Sequence, residues 1–471
     1  MTDDNIMLLT DSYKTSHYKQ YPQGTQKVYS YFESRGSDYP TVFFGLQYIL
    51  QRYLLGKVVT AAKIDEAEEL VNEHMGGAVF NRRDWEYILK NYGGRLPVRI
   101  KAVPEGTVME PHNVLMTVEN TDERCYWLTN YLETLLVQAW YPTTVASQSR
   151  AMKRILKRYA EETSDDQNVD FKLHDFGFRG STSVESSALG GAAHLINFKG
   201  TDTMSALVLL KKYYGANGPA GFSIPASEHS TITSWGKDHE VDAMRNMLEQ
   251  YPTGLVACVS DSFDIYRACN QYWGEELKDK VLARDGVLVV RPDSGDPPSV
   301  VNKVIACLAE KFGCKKNSKG YYVLNPKVRV IQGDGIDIKM MRTILERMKL
   351  NNWSAENIAF GSGGGLLQKV NRDTCKFAFK CSSVTVNGVD RDVWKDPITD
   401  PGKASKRGRL ILCRDDDGEF YTKSVIPFTD RAQIHESGNR HPDELITVFM
   451  NGISYTHEYL DSIRRRAEIG V

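Results

Sequence analysis

Between residues 171 and 367 the chain repeats one short phrase: a few apolar residues, then an abrupt stop on polar or glycine-rich ones. FKLHDFGFRG, GFSIPASEHS, LVACVSDSFD, VLVVRPDSGD, VRVIQGDGID and IAFGSGGGLL all follow it. Many lie about 30–40 residues apart, and helix-patterned stretches such as VVNKVIACLAEKFG and KMMRTILERMK separate several of them. A buried strand followed by a helix, over and over, is the signature of a parallel sheet. So many units predict an irregular α/β barrel rather than an open sheet, and a barrel carries its chemistry at the carboxyl ends of its strands. One charged residue after one strand often only faces solvent. A succession of units ending in His, Asp, Arg, Ser or Gly points to one shared site, and Arg291, Asp293 and Ser294 stand at such an exit.

The flanks read differently. LPVRIKAVPEGTVMEPHNVLMTV (residues 96–118) alternates apolar and polar residues around two turns, which predicts antiparallel strands with one wet face. CYWLTNYLETLLVQAW places Trp127, Leu128, Tyr131, Leu132, Leu135 and Leu136 on one helical face, with Pro142 expected to end or kink that helix. A basic helix should run from about 146 to 162. GRLILCRDDDGEFYTKS reads as a hairpin turning at Asp417-Gly418, and SYTHEYLDSIRRRAE as an amphipathic helix. The expected organisation is an N-terminal α+β segment (1–145), a catalytic barrel (146–374) and a β-rich C-terminal segment (375–471) packing with the first.

Composition narrows the function classes. Lys plus Arg number 59 against 60 for Asp plus Glu, so no global field favours nucleic acid or an anionic membrane, and any anion site is local. The opening MTDDNIMLLTDS has too short an apolar run for a secretory signal, and no stretch is long enough to span a membrane. The 8 cysteines show neither C-x-x-C nor zinc spacing and read as reduced, so a cytoplasmic protein is expected.

GSGGGLL (Gly361–Leu367) ends a strand and opens a helix expected to include Gln368, Lys369 and Arg372, so its backbone N–H groups can converge on an anion. It lacks the Gly-Lys-Ser/Thr of a Walker A loop and the last glycine of a dinucleotide fingerprint, which leaves a phosphosugar as the better fit. HDFGFRG offers Arg179 for bidentate phosphate binding, and one of Phe176 and Phe178 for stacking on a flat ring. Gly333 and Asp334 in VIQGDGID suit the hydroxyls of a ribose; Asp293 suits the same, or Mg²⁺ through water. SDSFD supplies Asp261 and Asp264, and SEHST supplies Glu228 and His229. A carboxylate from the neighbouring unit, Asp261 or Asp264, would orient that imidazole as a nucleophile or proton carrier.

Taken in order, DSYKTSHYKQYP, HDFGFRG, NFKGTDT, PASEHSTITSWGKDHE, SDSFDIY, VRPDSGDP, RVIQGDGID and NIAFGSGGGLLQK resemble the nicotinamide phosphoribosyltransferase family of type II phosphoribosyltransferases, over essentially the whole chain. The resemblance implies a barrel beside a β-rich domain, and a head-to-tail homodimer with active sites at the interface. It implies transfer of phosphoribosyl from 5-phosphoribosyl 1-diphosphate to nicotinamide, with Mg²⁺, in NAD salvage. Phe176 and Tyr13 of the second subunit would sandwich the nicotinamide, with Arg291 beside them, and Asp202 would accept from its carboxamide. Arg179, Arg291, His229, Ser260, Arg329, Gly363, Gly364 and Arg372 correspond to phosphate and diphosphate ligands. Asp293, Gly333 and Asp334 correspond to ribose and metal-water contacts, and Arg35, Lys380 and Lys395 to cations reaching the phosphates. The family also hydrolyses ATP through a phosphohistidine at the position of His229, which implies catalytic roles for His229, Glu228, Asp264 and Asp293.

A carboxylate at 202 would repel nicotinic acid, which argues against nicotinate phosphoribosyltransferase, the alternative on the same fold. Aldolase-like phosphosugar chemistry lacks a Schiff-base lysine at a strand end, and a non-catalytic binding role would leave the polar strand ends idle. After YFESRG the sequence SDYPTVFFGLQ is shorter than the lysine-containing loop of animal members, which points to a bacterial or phage enzyme.

Overall fold

The computed structural model describes residues 4–399, 404–425 and 443–471, which form two compact units. The first unit comprises residues 1–147, 213–215 and 371–467; the second comprises 148–212, 216–370 and 468–471.

The first unit is built on an antiparallel sheet that interleaves distant parts of the chain. Its strand order is Val389–Asp392, Phe377–Val386, Thr25–Ser34, Val114–Asn120, Val98–Ala102, Ile446–Met450, Ile453–Ser454. The central strand Thr25–Ser34 pairs with Phe377–Val386 on one side, where Tyr31 opposes Lys380, and with Val114–Asn120 on the other, where it opposes Thr117. The wet face expected for residues 96–118 exists only at Val98–Ala102, which alternates in burial; Val114–Asn120 is buried at every position. Trp85, Trp127 and Tyr131 pack edge to face in the core beside it. Pro142 does not end a helix. It stands in the first turn of Trp140–Thr163, where proline's missing N–H costs no hydrogen bond. The C-terminal helix runs only over Leu460–Ala467, because Ile453–Ser454 ahead of it is recruited as an edge strand. The hairpin Arg409–Arg414 with Phe420–Val425 turns through Asp417 and Gly418, whose φ of 84° needs no Cβ.

The second unit is the barrel. Its strands are β1 (Leu173–Asp175), β2 (Gly200–Thr201), β3 (Thr253–Val259), β4 (Asp285–Arg291), β5 (Val328–Gln332) and β6 (Ile358–Ser362), all parallel and ordered β2-β1-β6-β5-β4-β3. GFSIPASEHS forms no regular strand. Instead Phe222 bridges Gly200 and Ala226 bridges Ala257, so residues 222–226 join the two edges of the sheet. Helices Pro297–Phe312 and Ile338–Leu350 start on the carboxylates of Asp296 and Asp337, which accept from the first-turn N–H groups. Ala257, Val289 and Ile331, from three adjacent strands, pack in one layer with Phe176 and Ile224.

Glu105, in the first unit, is wholly buried; Gln47 N–H donates to its Oε1 at 2.6 Å. Burial pushes this carboxyl up to about 7, so the folded chain holds a proton that the unfolded chain has released. Its penalty therefore grows as pH rises from 4.5 to about 7. Glu105→Gln, which keeps an acceptor for Gln47, should flatten the fall of melting temperature across that window; a wild-type curve already flat from pH 5 to 7 would contradict the assignment.

Candidate active site

The carboxyl ends of the barrel strands enclose a cavity of about 670 Å³, a size that suits a small ligand. Along β1 side chains alternate: His174 and Phe176 line the cavity, and Asp175 between them is wholly buried away from it. Phe178 lines it as well, because alternation ends at Asp175 and a 3₁₀ turn, Phe178–Gly180, swings the next aromatic round with Arg179.

The Phe176 ring lies over glycine. A Cβ on Gly361 would stand 2.0 Å from its Cε2, and one on Gly333 at 3.3 Å. Two side-chain-free positions thus form the bed that sets the height of the ring. The Arg291 guanidinium sits 5.9 Å from the ring centroid and is held by Asp293, with Nη2 at 3.0 Å from both carboxylate oxygens. Across the cavity Ser223 donates from its hydroxyl to Asp202. His174 is kept low in pKa by burial, against the pull of Asp202, so a neutral imidazole faces the cavity.

His229 does not line the cavity, yet it is tied to it. Its Nε2 lies 3.0 Å from Asp261 Oδ1, while Asp261 Oδ2 accepts from the N–H of Asp293 at 2.9 Å and the hydroxyl of Ser294 at 2.6 Å. Burial acts to raise the Asp261 carboxyl, but the bonds from Ser294, His229 and Asp293 outweigh it and hold it below the usual carboxylate range. An ionised Asp261 accepts only, so Nε2 donates to it and Nδ1 is the ring nitrogen left outside that bond. At the glycine loop, a Cβ on Gly364 would meet nothing within 4 Å, and the helix that follows is short, Gly364–Leu367. It ends before Lys369 and Arg372, contrary to expectation.

Nine predicted residues line this cavity: Phe176, Arg179, Asp202, Arg291, Asp293, Gly333, Asp334, Gly363 and Gly364. Tyr13, Arg35, Arg372, Lys380 and Lys395 belong to the first unit. There Tyr13 is exposed, and burial lowers the pKa of Lys380, helped by Lys395, Arg35 and Arg372 as neighbouring cations. Four predicted phosphate ligands therefore share one neighbourhood within that unit.

The Nicotinate phosphoribosyltransferase (NAPRTase) family model matches residues 171–430, and that of the Nicotinamide phosphoribosyltransferase N-terminal domain matches residues 5–100. The nicotinamide phosphoribosyltransferase of Xanthomonas campestris is 52% identical over 99% of this chain and 98% of its own. The chain belongs to the nicotinamide phosphoribosyltransferase family. The Acinetobacter baylyi member is 34% identical over 98% of this chain and 97% of its own. Among solved structures, a nicotinate-nucleotide pyrophosphorylase from Pyrococcus furiosus (TM-score 0.60, 16% identity, 99% of this chain and 96% of that one) shares the fold. So does human nicotinic acid phosphoribosyltransferase (TM-score 0.58, 15% identity, 98% and 93%).

Besides His229 and the residues of the first unit, Asp264, Glu228, Ser260 and Arg329 were expected at the site of this family member and do not line the cavity. Asp264 caps the next helix, its Oδ1 accepting from the N–H groups of Tyr266 and Arg267, and it is Asp261 that meets His229. Glu228 accepts from the Ser230 hydroxyl beside it and precedes the short helix His229–Thr233. Ser260 is fully buried, donating to Cys258 O and accepting from Trp273 Nε1 at 3.0 Å. Arg329 sits near the start of β5 and donates to the carbonyls of Leu324, Asn325 and Val328, lining a different cavity, of about 530 Å³, with Lys172 and Glu356. Conversely Ser223, Ile224, Ala226, Ala257 and Ile331 line the site without having been expected. Inward alternation back from the polar strand ends would have found Ala257 and Ile331.

Gly361→Ala should drive the Phe176 ring into the cavity. Loss of affinity for an aromatic ligand by about tenfold or more is expected in calorimetry on the folded variant; unaltered binding would contradict the bed.

Proposed function

We propose that this chain transfers the phosphoribosyl group of 5-phosphoribosyl 1-diphosphate to nicotinamide, yielding nicotinamide mononucleotide and diphosphate. The observation that carries the reading is the cavity itself. A ring positioned over two glycines, a carboxylate at Asp202 and the Arg291–Asp293 pair all face one space with an open glycine loop. Phe176 stacks the pyridine, and Asp202 accepts from the carboxamide N–H while repelling a carboxylate in that place. Cleaving the bond from C1 of the ribose to the diphosphate builds positive charge on the sugar and negative charge on the leaving group. Arg179, Arg291 and the backbone at Gly363 and Gly364 stabilise the latter. The pyridine nitrogen already holds a lone pair, so positioning does the work of a base.

Among the described residues no group of three or more His, Cys, Asp or Glu side chains is arranged to hold a metal. Asp293, a carboxylate on the cavity wall, would hold Mg²⁺ through water. The chemistry it would supply there is neutralisation of charge on the diphosphate leaving group. His229, with Nδ1 outside the bond to Asp261, suits the phosphoryl acceptor of an ATP-coupled reaction. Tyr13 and the cations Arg35, Arg372, Lys380 and Lys395 complete the site in a homodimer. Among the described residues no helix is long and apolar enough to cross a membrane, and we place the reaction in the cytoplasm.

Purified chain should convert labelled nicotinamide and phosphoribosyl diphosphate, with Mg²⁺, to the mononucleotide; no product would overturn the proposal. Asp202→Ser should narrow the preference for nicotinamide over nicotinate by about tenfold or more, since a repelling charge is removed. His229→Ala should still make product but lose stimulation by ATP, and full stimulation in that variant would remove the histidine's role.

A further inference from the structure

Asp175 is a buried carboxyl that the proposed chemistry does not use. It is inaccessible to solvent and points away from the cavity that its neighbours His174 and Phe176 line. Its Oδ1 accepts from the N–H of Gly177 at 2.7 Å. That bond links residue i to the N–H at i+2 and fixes the start of the Phe178–Gly180 turn. Oδ2 lies towards the hydroxyl of Thr203, but neither atom makes a hydrogen bond of ordinary geometry among the described residues. Helix Val184–Leu195 leaves room for Oδ2 only because residue 191 is glycine: a Cβ there would stand 3.0 Å from it. Burial pushes the carboxyl up to about 6, with Asp202 adding to the rise, so this group is kept at a cost.

The turn it fixes is tightly placed. A Cβ on Gly177 would stand 2.7 Å from Leu367 and 3.0 Å from the carbonyl of Gly363, so the turn abuts the glycine loop. Arg179 projects from the same turn into the cavity. The stacking ring is held separately: Phe176 N–H donates to Ser362 O at 3.0 Å and its ring rests on Gly361. Asp202 is held separately too, its N–H donating to the main-chain carbonyl of Asp175 at 2.9 Å, a bond that no side-chain change at 175 removes.

We infer that the Asp175 carboxylate is a positioning residue for phosphate recognition, acting through the Gly177 N–H to set where Arg179 presents its guanidinium beside the glycine loop. The inference rests on the proposed transfer reaction and divides the site in two. The base side is anchored by the main chain and by glycine, and the phosphate side by a buried carboxylate. Removing the carboxylate therefore disturbs one substrate and not the other.

The test is steady-state kinetics on Asp175→Ala, with each substrate varied at saturating levels of the other. KM for phosphoribosyl diphosphate should rise about tenfold or more, as expected for losing one hydrogen bond to a charged group. KM for nicotinamide and the preference over nicotinate should move less than about threefold, a change smaller than the net worth of one typical neutral hydrogen bond. Asp175→Asn keeps an acceptor for Gly177 and gains a donor for the Thr203 hydroxyl, so it should recover most of the loss. Equal rises in both KM values, a lower melting temperature with unchanged KM values, or an asparagine variant as impaired as the alanine one would each overturn the inference. If the alanine variant does not fold, Asp175→Ser, whose hydroxyl accepts more weakly, is read by the same two KM values. Wild-type protein that makes no mononucleotide would instead sink the proposed reaction, so the two failures are distinguishable.

Discussion

The bridges made by residues 222–226, to Gly200 on one side and Ala257 on the other, are the constraint on which the rest of the second unit depends. Without them the six strands would form a curled sheet with two exposed edges. With them the carboxyl ends of all the strands face one space, and residues far apart in sequence share it. The same segment also supplies Ser223, Ile224 and Ala226 to the lining, so closure and site formation are one event. The segment contains Pro225, which has no N–H to give to a ladder, and it makes single bridges to the two edges rather than pairing along either.

Inside that wall, charge is arranged by pairing. Arg291 is held by Asp293, Asp293 is held through its N–H by Asp261, and Asp261 holds His229. A guanidinium beside the Phe176 ring and an imidazole outside the cavity are thus linked through two carboxylates on adjacent strand ends. Asp261 is the pivot, since its two oxygens serve different partners.

Much of this is legible in the sequence because a buried parallel strand must be apolar and its exit must be polar where it meets a ligand. The exits RPDSGD, QGDGID and GSGGG announce Arg291, Asp293, Gly333, Asp334, Gly363 and Gly364 without any need for coordinates. What the pattern does not carry is length and end. β2 has only Gly200 and Thr201, too few for a period to register, so Asp202 is visible only through family likeness. Arg329 and Arg291 both follow apolar residues, but one stands near the start of its strand and the other at its end, and they reach opposite ends of the barrel. In SDSFD the two aspartates look equivalent. Asp264 directly precedes the helical residues Ile265–Arg267, so it is spent on capping, and that start signal was there to be used.

The interleaved sheet of the first unit carries a consequence for how the molecule is made. Strand Thr25–Ser34 emerges early in synthesis, and Val114–Asn120 can cover one of its edges soon after. Its other edge waits for Phe377–Val386, some three quarters of the chain later. Throughout that interval an apolar strand with unsatisfied main-chain donors and acceptors stands open beside the ribosome, a template for wrong partners. In the barrel the corresponding wait is shorter: β1, complete at residue 175, pairs with β6, which begins at residue 358. An unpaired edge therefore stays open longest in the sheet that joins early and late parts of the chain, and for less time in the unit that surrounds the cavity.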